Sequence, residues 1–323
     1  MEPASELLPL TERVLERLPG PRLPWILLWA SLPLVVETVL PAVIGAQVYG
    51  ANFLHGAGAA YGSLIALWGV AKLRKDAAAV QHILADLTGG TLTVGQLFRA
   101  MNSISMPLLL MAGSAALYGL GQVRRFGAAA APTIGLAFAA WLPVVTLAWV
   151  AGTILLGLHR LGGMPLRLKP FEVDRGLGLR RLGSLAFTPL LVYAAGVLPA
   201  VFIPGPTQLE DVITNVGGLL IIVILLFASL TRLRRQLVAA KAQHLAWARD
   251  LYAQALAPVR TVGSREALGA QAAELQAAES LERRAAAILE WPFDEIILRN
   301  IVAIVTSVST ALVVRLVVSR LGL

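Results

Sequence analysis

Residues 217–230 read GGLLIIVILLFASL, a run without a single charge. No other feature limits the possible folds of the chain so severely, because such a run must be buried either in a large core or in hydrocarbon. A bilayer core ~30 Å thick is crossed by about 20 mostly apolar helical residues rising ~1.5 Å each. The window 211–230 meets that length, as do 132–158 and 184–203. Window 106–123 follows, and then 24–46, which is apolar but contains Pro33, Glu37 and Pro41. Window 51–71 is rich in Gly and Ala, and 296–318 carries Arg299, Asn300 and Arg315. Only 14% of the 323 residues are charged, against roughly 25% in soluble domains. The pattern predicts an all-α polytopic transmembrane bundle of about five to seven spans.

Basic residues set the orientation, since short cytoplasmic connections collect Lys and Arg. With the amino terminus inside, the segments 1–23, 72–105, 159–183 and 231–294 all face the cytoplasm and hold 22 of the 27 basic residues. Only the Arg124–Arg125 pair opposes this arrangement. The net charge of +8 sits beside apolar spans, so anionic lipid headgroups are the expected partners and nucleic acid is not. Segment 1–23 carries Glu2, Glu6, Glu12 and Glu16 and lacks the basic start of a secretory signal. It reads as a short amphipathic helix ended by Pro19, Gly20 and Pro21. The bundle then occupies 24–230, with cytoplasmic connections at 72–105 and 159–183.

Residues 231–294 are too polar to span and are predicted to form a cytoplasmic helical hairpin. Leu230, Leu237, His244 and Leu251 recur every seven residues, marking a packing stripe that continues out of the span 211–230. Pro258 to Gly263 breaks the helix, Ser264 is placed to cap the next one, and Leu268, Leu275 and Leu289 lie at multiples of seven. Two helices joined by a short loop fold back antiparallel. Residues 295–323 form a final transmembrane or membrane-docked helix.

Chemistry-bearing residues are sparse. The chain has no cysteine, which excludes disulfides, thiolate catalysis and Cys-ligated metals. The four histidines, His55, His82, His159 and His244, are far apart in sequence, and no metal or cofactor is predicted. Glu37, between two prolines, is the one carboxylate near the middle of a predicted span. It is either a proton or cation site facing a hydrated cavity, or part of a bent, interfacial segment. Arg299, Thr306, Ser309 and Thr310 share one helical face at ~100° per residue. That face either lines a pore or packs in the bundle, with Glu295 pairing Arg299 at i,i+4 and Arg315 snorkelling to the opposite surface.

The most charged stretch, LKPFEVDRGLGLRRLG (168–183), lies between two predicted spans. A phosphate-cradling glycine loop needs a strand before it and a helix after it. Here there is a membrane helix on each side, and Glu172 and Asp174 are surrounded by basic groups. The favoured reading is a hinge and topology anchor, with Asp174 and Arg175 holding the turn and Gly176 and Gly178 letting it bend. A ligand clamp ranks next and a catalytic loop last.

This loop, the later LRRQLVAAKAQHL and the closing LEWPFDEIILRNIVAIVTSVSTALVVRLVV resemble passages found in the same order in a prokaryotic polytopic membrane-protein family. Its members have a Pro-Phe and Gly-Leu loop, a helical hairpin and a Trp-Pro motif before a last apolar segment. The resemblance covers roughly the carboxy-terminal half and implies architecture alone. The residues themselves favour a non-enzymatic helical-bundle channel or scaffold, self-associating through its spans or through the 231–294 hairpin. A secondary transporter or proton-coupled permease using Glu37 is the alternative. An intramembrane enzyme comes last, because no nucleophile, base or metal set converges at one depth.

Overall fold

The structure, a computed structural model, describes residues 7–39, 50–126, 131–171, 174–202, 209–259 and 265–321. Pro41, Glu172 and Ser264 lie outside these, and the side chain of Glu37 is likewise not described. Every regular element among the described residues is helical, which suits a chain whose backbone must satisfy its own hydrogen bonds in hydrocarbon. Helix α1 (Leu10–Arg17) and α2 (Arg22–Leu34), extended by a π-helical turn at Val35–Val39, precede the long α3 (Gly50–Ala79). Two short helices, α4 (Gln81–Thr88) and α5 (Val94–Leu97), and a 3-10 turn (Arg99–Asn102) connect to α6 (Ser105–Phe126). Then come α7 (Ala131–Leu161), α8 (Arg180–Phe202), α9 (Leu209–Val259), α10 (Arg265–Ala286) and α11 (Glu295–Leu321).

Among the described residues, four segments are long and apolar enough to cross a membrane: Ala140–Leu161, Arg180–Leu198, Val212–Ala257 and Glu295–Arg320. The chain is an all-α helical-bundle membrane protein. Large apolar side chains such as Leu156, Ile221, Ile224, Val302 and Val313 are exposed on these helices, the surface a bilayer would solvate. Helix α11 is peripheral, with only 17% of its most apolar window buried.

Helix α3 has 30 residues and is therefore about 45 Å long. It packs against α2, α7 and α8. Its close crossing is at Gly69, where an added Cβ would overlap the Val192 side chain of α8. Gly62, in the Gly- and Ala-rich window 51–71, has open space beside it.

Segment 73–102 is more than a polar connection. Leu73, Ala77, Leu84, Leu87, Phe98 and Met101 are all fully buried in the main core. They lie with Ile154, Leu158 and Leu161 of α7, with Leu182 and Leu190 of α8, and with Leu230, Leu233 and Leu237 of α9. Much of this buried core is thus at one end of the bundle, where charged ends of α3, α7, α8 and α11 meet the basic mid-section of α9. Local signals shape this cap. Helix α4 stops at Gly89 and Gly90, both at positive φ (63° and 80°), with the Gly90 N–H donating to the Ala85 carbonyl at 2.8 Å. Helix α5 starts with a capping box in which Thr93 and Gln96 each accept the other's backbone N–H.

The amino-terminal helix docks on this cap. Leu7 is fully buried, and the Leu8 N–H donates to Asn102 Oδ1 at 2.6 Å. Glu12 is only 5% exposed and pairs with Arg74 at 2.9 Å. Arg74 and Arg22 both also reach Glu16. Burying one carboxylate alone would cost several kcal/mol; sharing two acids between two guanidiniums offsets that and ties α1 and α2 to α3.

Candidate functional site

The charged end of the bundle gathers most of the polar structure, and the 162–179 loop is its hub. Gly162 directly follows α7 and lies so close to α9 that a Cβ there would meet the Leu233 backbone N–H. The Gln236 side-chain amide of α9 donates to the carbonyls of Gly162 and Met164 at 2.8 and 2.7 Å. The Arg167 N–H donates to the Leu87 carbonyl at 2.7 Å, and Lys169 pairs with Asp86 at 3.1 Å. Both links run to α4.

Asp174 organises the tightest turn. Its two carboxylate oxygens accept the N–H groups of Gly176 at 2.9 Å and Gly178 at 2.8 Å. The positive-φ residues are Leu177 (52°) and Gly178 (90°); Gly176 is not among them. A non-glycine residue in the left-handed region is uncommon. Leu177 is held there because its side chain is completely buried. Both Asp174 oxygens face backbone donors, an arrangement that shapes a turn. Arg175 contributes its carbonyl to the Leu289 N–H at 3.1 Å, and Arg180 pairs with Asp294. Phe171, nearly buried, lies 4.8 Å from the His244 ring on α9. The loop therefore clamps α4, α9 and the chain entering α11.

That entry chain holds residues that sequence reasoning noted only as a motif. Trp291 stacks on Phe293 with centroids 5.5 Å apart and meets Phe227 edge-on at 5.1 Å. The Arg234 guanidinium lies 4.9 Å over the Trp291 ring, a cation–π contact. The signal in the sequence was EWPFDE, whose paired aromatics precede an apolar helix.

Of the residues proposed for a pathway, the four on α11 share an outward face. Arg299, Thr306 and Thr310 are exposed and Ser309 is half-buried. The buried face of α11 carries Ile301, Val308 and Leu312 instead. The polar stripe is thus turned away from the bundle, and Glu295 and Arg299, both exposed, form no ion pair with each other. Glu37 lies in the π-helical turn Val35–Val39. Among the described residues no group of three or more His, Cys, Asp or Glu is placed to hold a metal ion.

A cavity of about 360 Å³ lies between α3 and α8. Its polar end holds Lys72, Asp76, Arg181 and Thr188, and its other end is walled by Trp68 and Leu191. Lys72 Nζ lies 2.6 Å from Asp76 Oδ2, and the Thr188 hydroxyl donates to the same oxygen at 3.2 Å. Comparison of the chain with protein-family models, curated proteins and solved structures finds no match.

Proposed function

We propose that the protein is a non-enzymatic membrane scaffold that works through the arm built by α9 and α10. The observation carrying this reading is the length of α9, 51 residues in one helix. About 20 of them suffice to cross a bilayer, so roughly 28, from Arg232 onward, extend about 40 Å beyond it. Helix α10 runs antiparallel along this extension, with Arg249 pairing Glu282 at 3.1 Å and, just past the end of α10, Lys241 pairing Glu290 at 3.2 Å. Trp247 stays 46% exposed on the arm, which supports a role in contacting another protein. In this reading the arm and the amino terminus are cytoplasmic, in keeping with where the basic residues fall.

The absence of native cysteine makes the test direct. A Gln243→Cys variant, at an exposed arm position, should react with an impermeant thiol reagent only after cells are opened. Loaded with a photo-crosslinker, it should give a discrete protein adduct, while Val313→Cys on the lipid-facing side of α11 should not. Labelling in intact cells would reverse the orientation, and equal crosslinking at both sites would remove the scaffold reading.

A second reading, ion or proton movement, is favoured by one observation: Glu37 sits in a π-helical turn, an irregularity that recurs at functional sites. In proteoliposomes this reading expects a measurable cation or proton flux that Glu37→Gln abolishes. Flux unchanged in the variant takes Glu37 out of any pathway.

A further inference from the structure

The cavity between α3 and α8 has a chemical gradient along its length. On α8, Arg181, Ser184, Thr188 and Leu191 follow one another at helical spacing on the face that lines it. The residues change from cationic through hydroxyl to apolar over about 15 Å. On α3, running the opposite way, Asp76 and Lys72 lie level with the polar part and Trp68 with the apolar part. The direct contacts fix this register: Thr188 to Asp76, and Gly69 against Val192. The cavity opens on the outside of the bundle. Trp68 is 50% and Leu191 44% exposed, so its apolar end is continuous with the lipid-facing surface.

The charges at the polar end do not cancel. Lys72 is matched by Asp76, and the adjacent Arg180 is taken by Asp294. Arg181 is exposed and makes no ion pair among the described residues. One positive charge is therefore left over where the spans meet the charged layer, above an apolar track leading towards the membrane centre. We propose that this groove binds one anionic glycerophospholipid. Its phosphodiester sits against Arg181 and Ser184, its glycerol backbone against Thr188 beside the Lys72–Asp76 pair, and an acyl chain lies over Leu191 and Trp68. A free phosphate would use the cationic end and leave the apolar track empty. A zwitterionic lipid would bring a second positive charge to a place already positive. The inference rests on the chain being a membrane protein and is independent of the scaffold reading.

The test uses the full chain purified in detergent. Native mass spectrometry follows titrations with dioleoylphosphatidylglycerol, dioleoylphosphatidylcholine and glycerol 3-phosphate. The first phosphatidylglycerol adduct is expected at about tenfold lower concentration than the first phosphatidylcholine adduct, the scale of one charge-assisted contact. Glycerol 3-phosphate should not displace it. Arg181→Gln should erase the preference, Arg181→Lys should keep most of it, and Leu191→Trp, which fills the apolar track, should weaken binding of phosphatidylglycerol. The two substituted side chains are exposed, and unchanged circular dichroism confirms that the variants are folded. Equal affinity for the two lipids overturns the proposal, as does a preference that survives Arg181→Gln. Displacement by glycerol 3-phosphate would show an anion site without lipid recognition and overturn it equally.

Discussion

Replacing Gly183 with alanine is expected to destabilise the protein by about 3 kcal/mol, at the upper end of what overpacking usually costs. Gly183 lies in the first turn of α8, where an added Cβ would fall on the Pro292 carbonyl and 3.2 Å from Phe293 Cβ. The obstruction is backbone, which cannot swing aside as a flexible side chain would. Relief requires the 289–294 segment to move. That movement would loosen the Trp291–Phe293 stack, the guanidinium over Trp291 and the Arg180–Asp294 pair together. The backbone at Gly183 is ordinary helix, so the effect is purely one of space. Gly152, in α7, has nothing within 4 Å of a built Cβ, and Gly152→Ala should be neutral or stabilising by up to about 1 kcal/mol. Thermal unfolding in one detergent compares the two. Equal melting temperatures for Gly183→Ala and the wild type would mean that the Trp-Pro segment does not pack on α8.

Leu237→Asp should be more damaging still, by about 4 kcal/mol or more, while Leu251→Asp should cost about 1. Both positions belong to the same seven-residue stripe on α9, and a heptad argument treats them alike. In the structure Leu237 has no exposed surface and joins the main core with Leu230 and Leu233, whereas Leu251 is half-buried well out along the arm. A carboxylate at 237 would be desolvated with no designated partner; at 251 it can reach water. Leu237→Asp should therefore unsettle the bundle itself, and Leu251→Asp only the distal arm. Limited proteolysis separates these outcomes: new cuts near 160–180 for the first, cuts confined to the arm for the second. Matching patterns would mean that α10 covers both positions equally.

The helical bundle was legible because runs such as 217–230 have no other home, and the structure has membrane-length helices at four of the apolar windows. The role of 73–102 was not legible. Lys72, Arg74, Lys75, Asp86 and Arg99 make the average polar, yet Leu73, Ala77, Leu84, Leu87 and Phe98 turn inward between them. Hydropathy averaged over a window cannot separate two faces. The central place of α3 was hidden for a related reason: its Gly- and Ala-rich first half suits contact with other helices more than with lipid, and hydropathy scales reward the latter. The groove could not be read at all. Asp76 and Thr188 are 112 positions apart, and nothing local marks them as neighbours. Asp174 stood out by its charge, but only the structure shows that its two oxygens are occupied by the turn and that Leu177, in place of Gly176, takes the left-handed conformation.

Helix α9 also has a mechanical side. From Leu219 to Ala257 it contains neither glycine nor proline, the usual sources of a sharp bend, so it has no joint where it leaves the bilayer. In the scaffold reading, span and arm therefore pivot as one stiff lever. A tilt of about 5° about the membrane surface carries the tip about 3–4 Å sideways and the buried far end about 2–3 Å in the opposite sense, from the length of the helix alone. Force on the tip is thereby delivered to the opposite face of the membrane, and a change in bilayer thickness that re-tilts the span swings the tip.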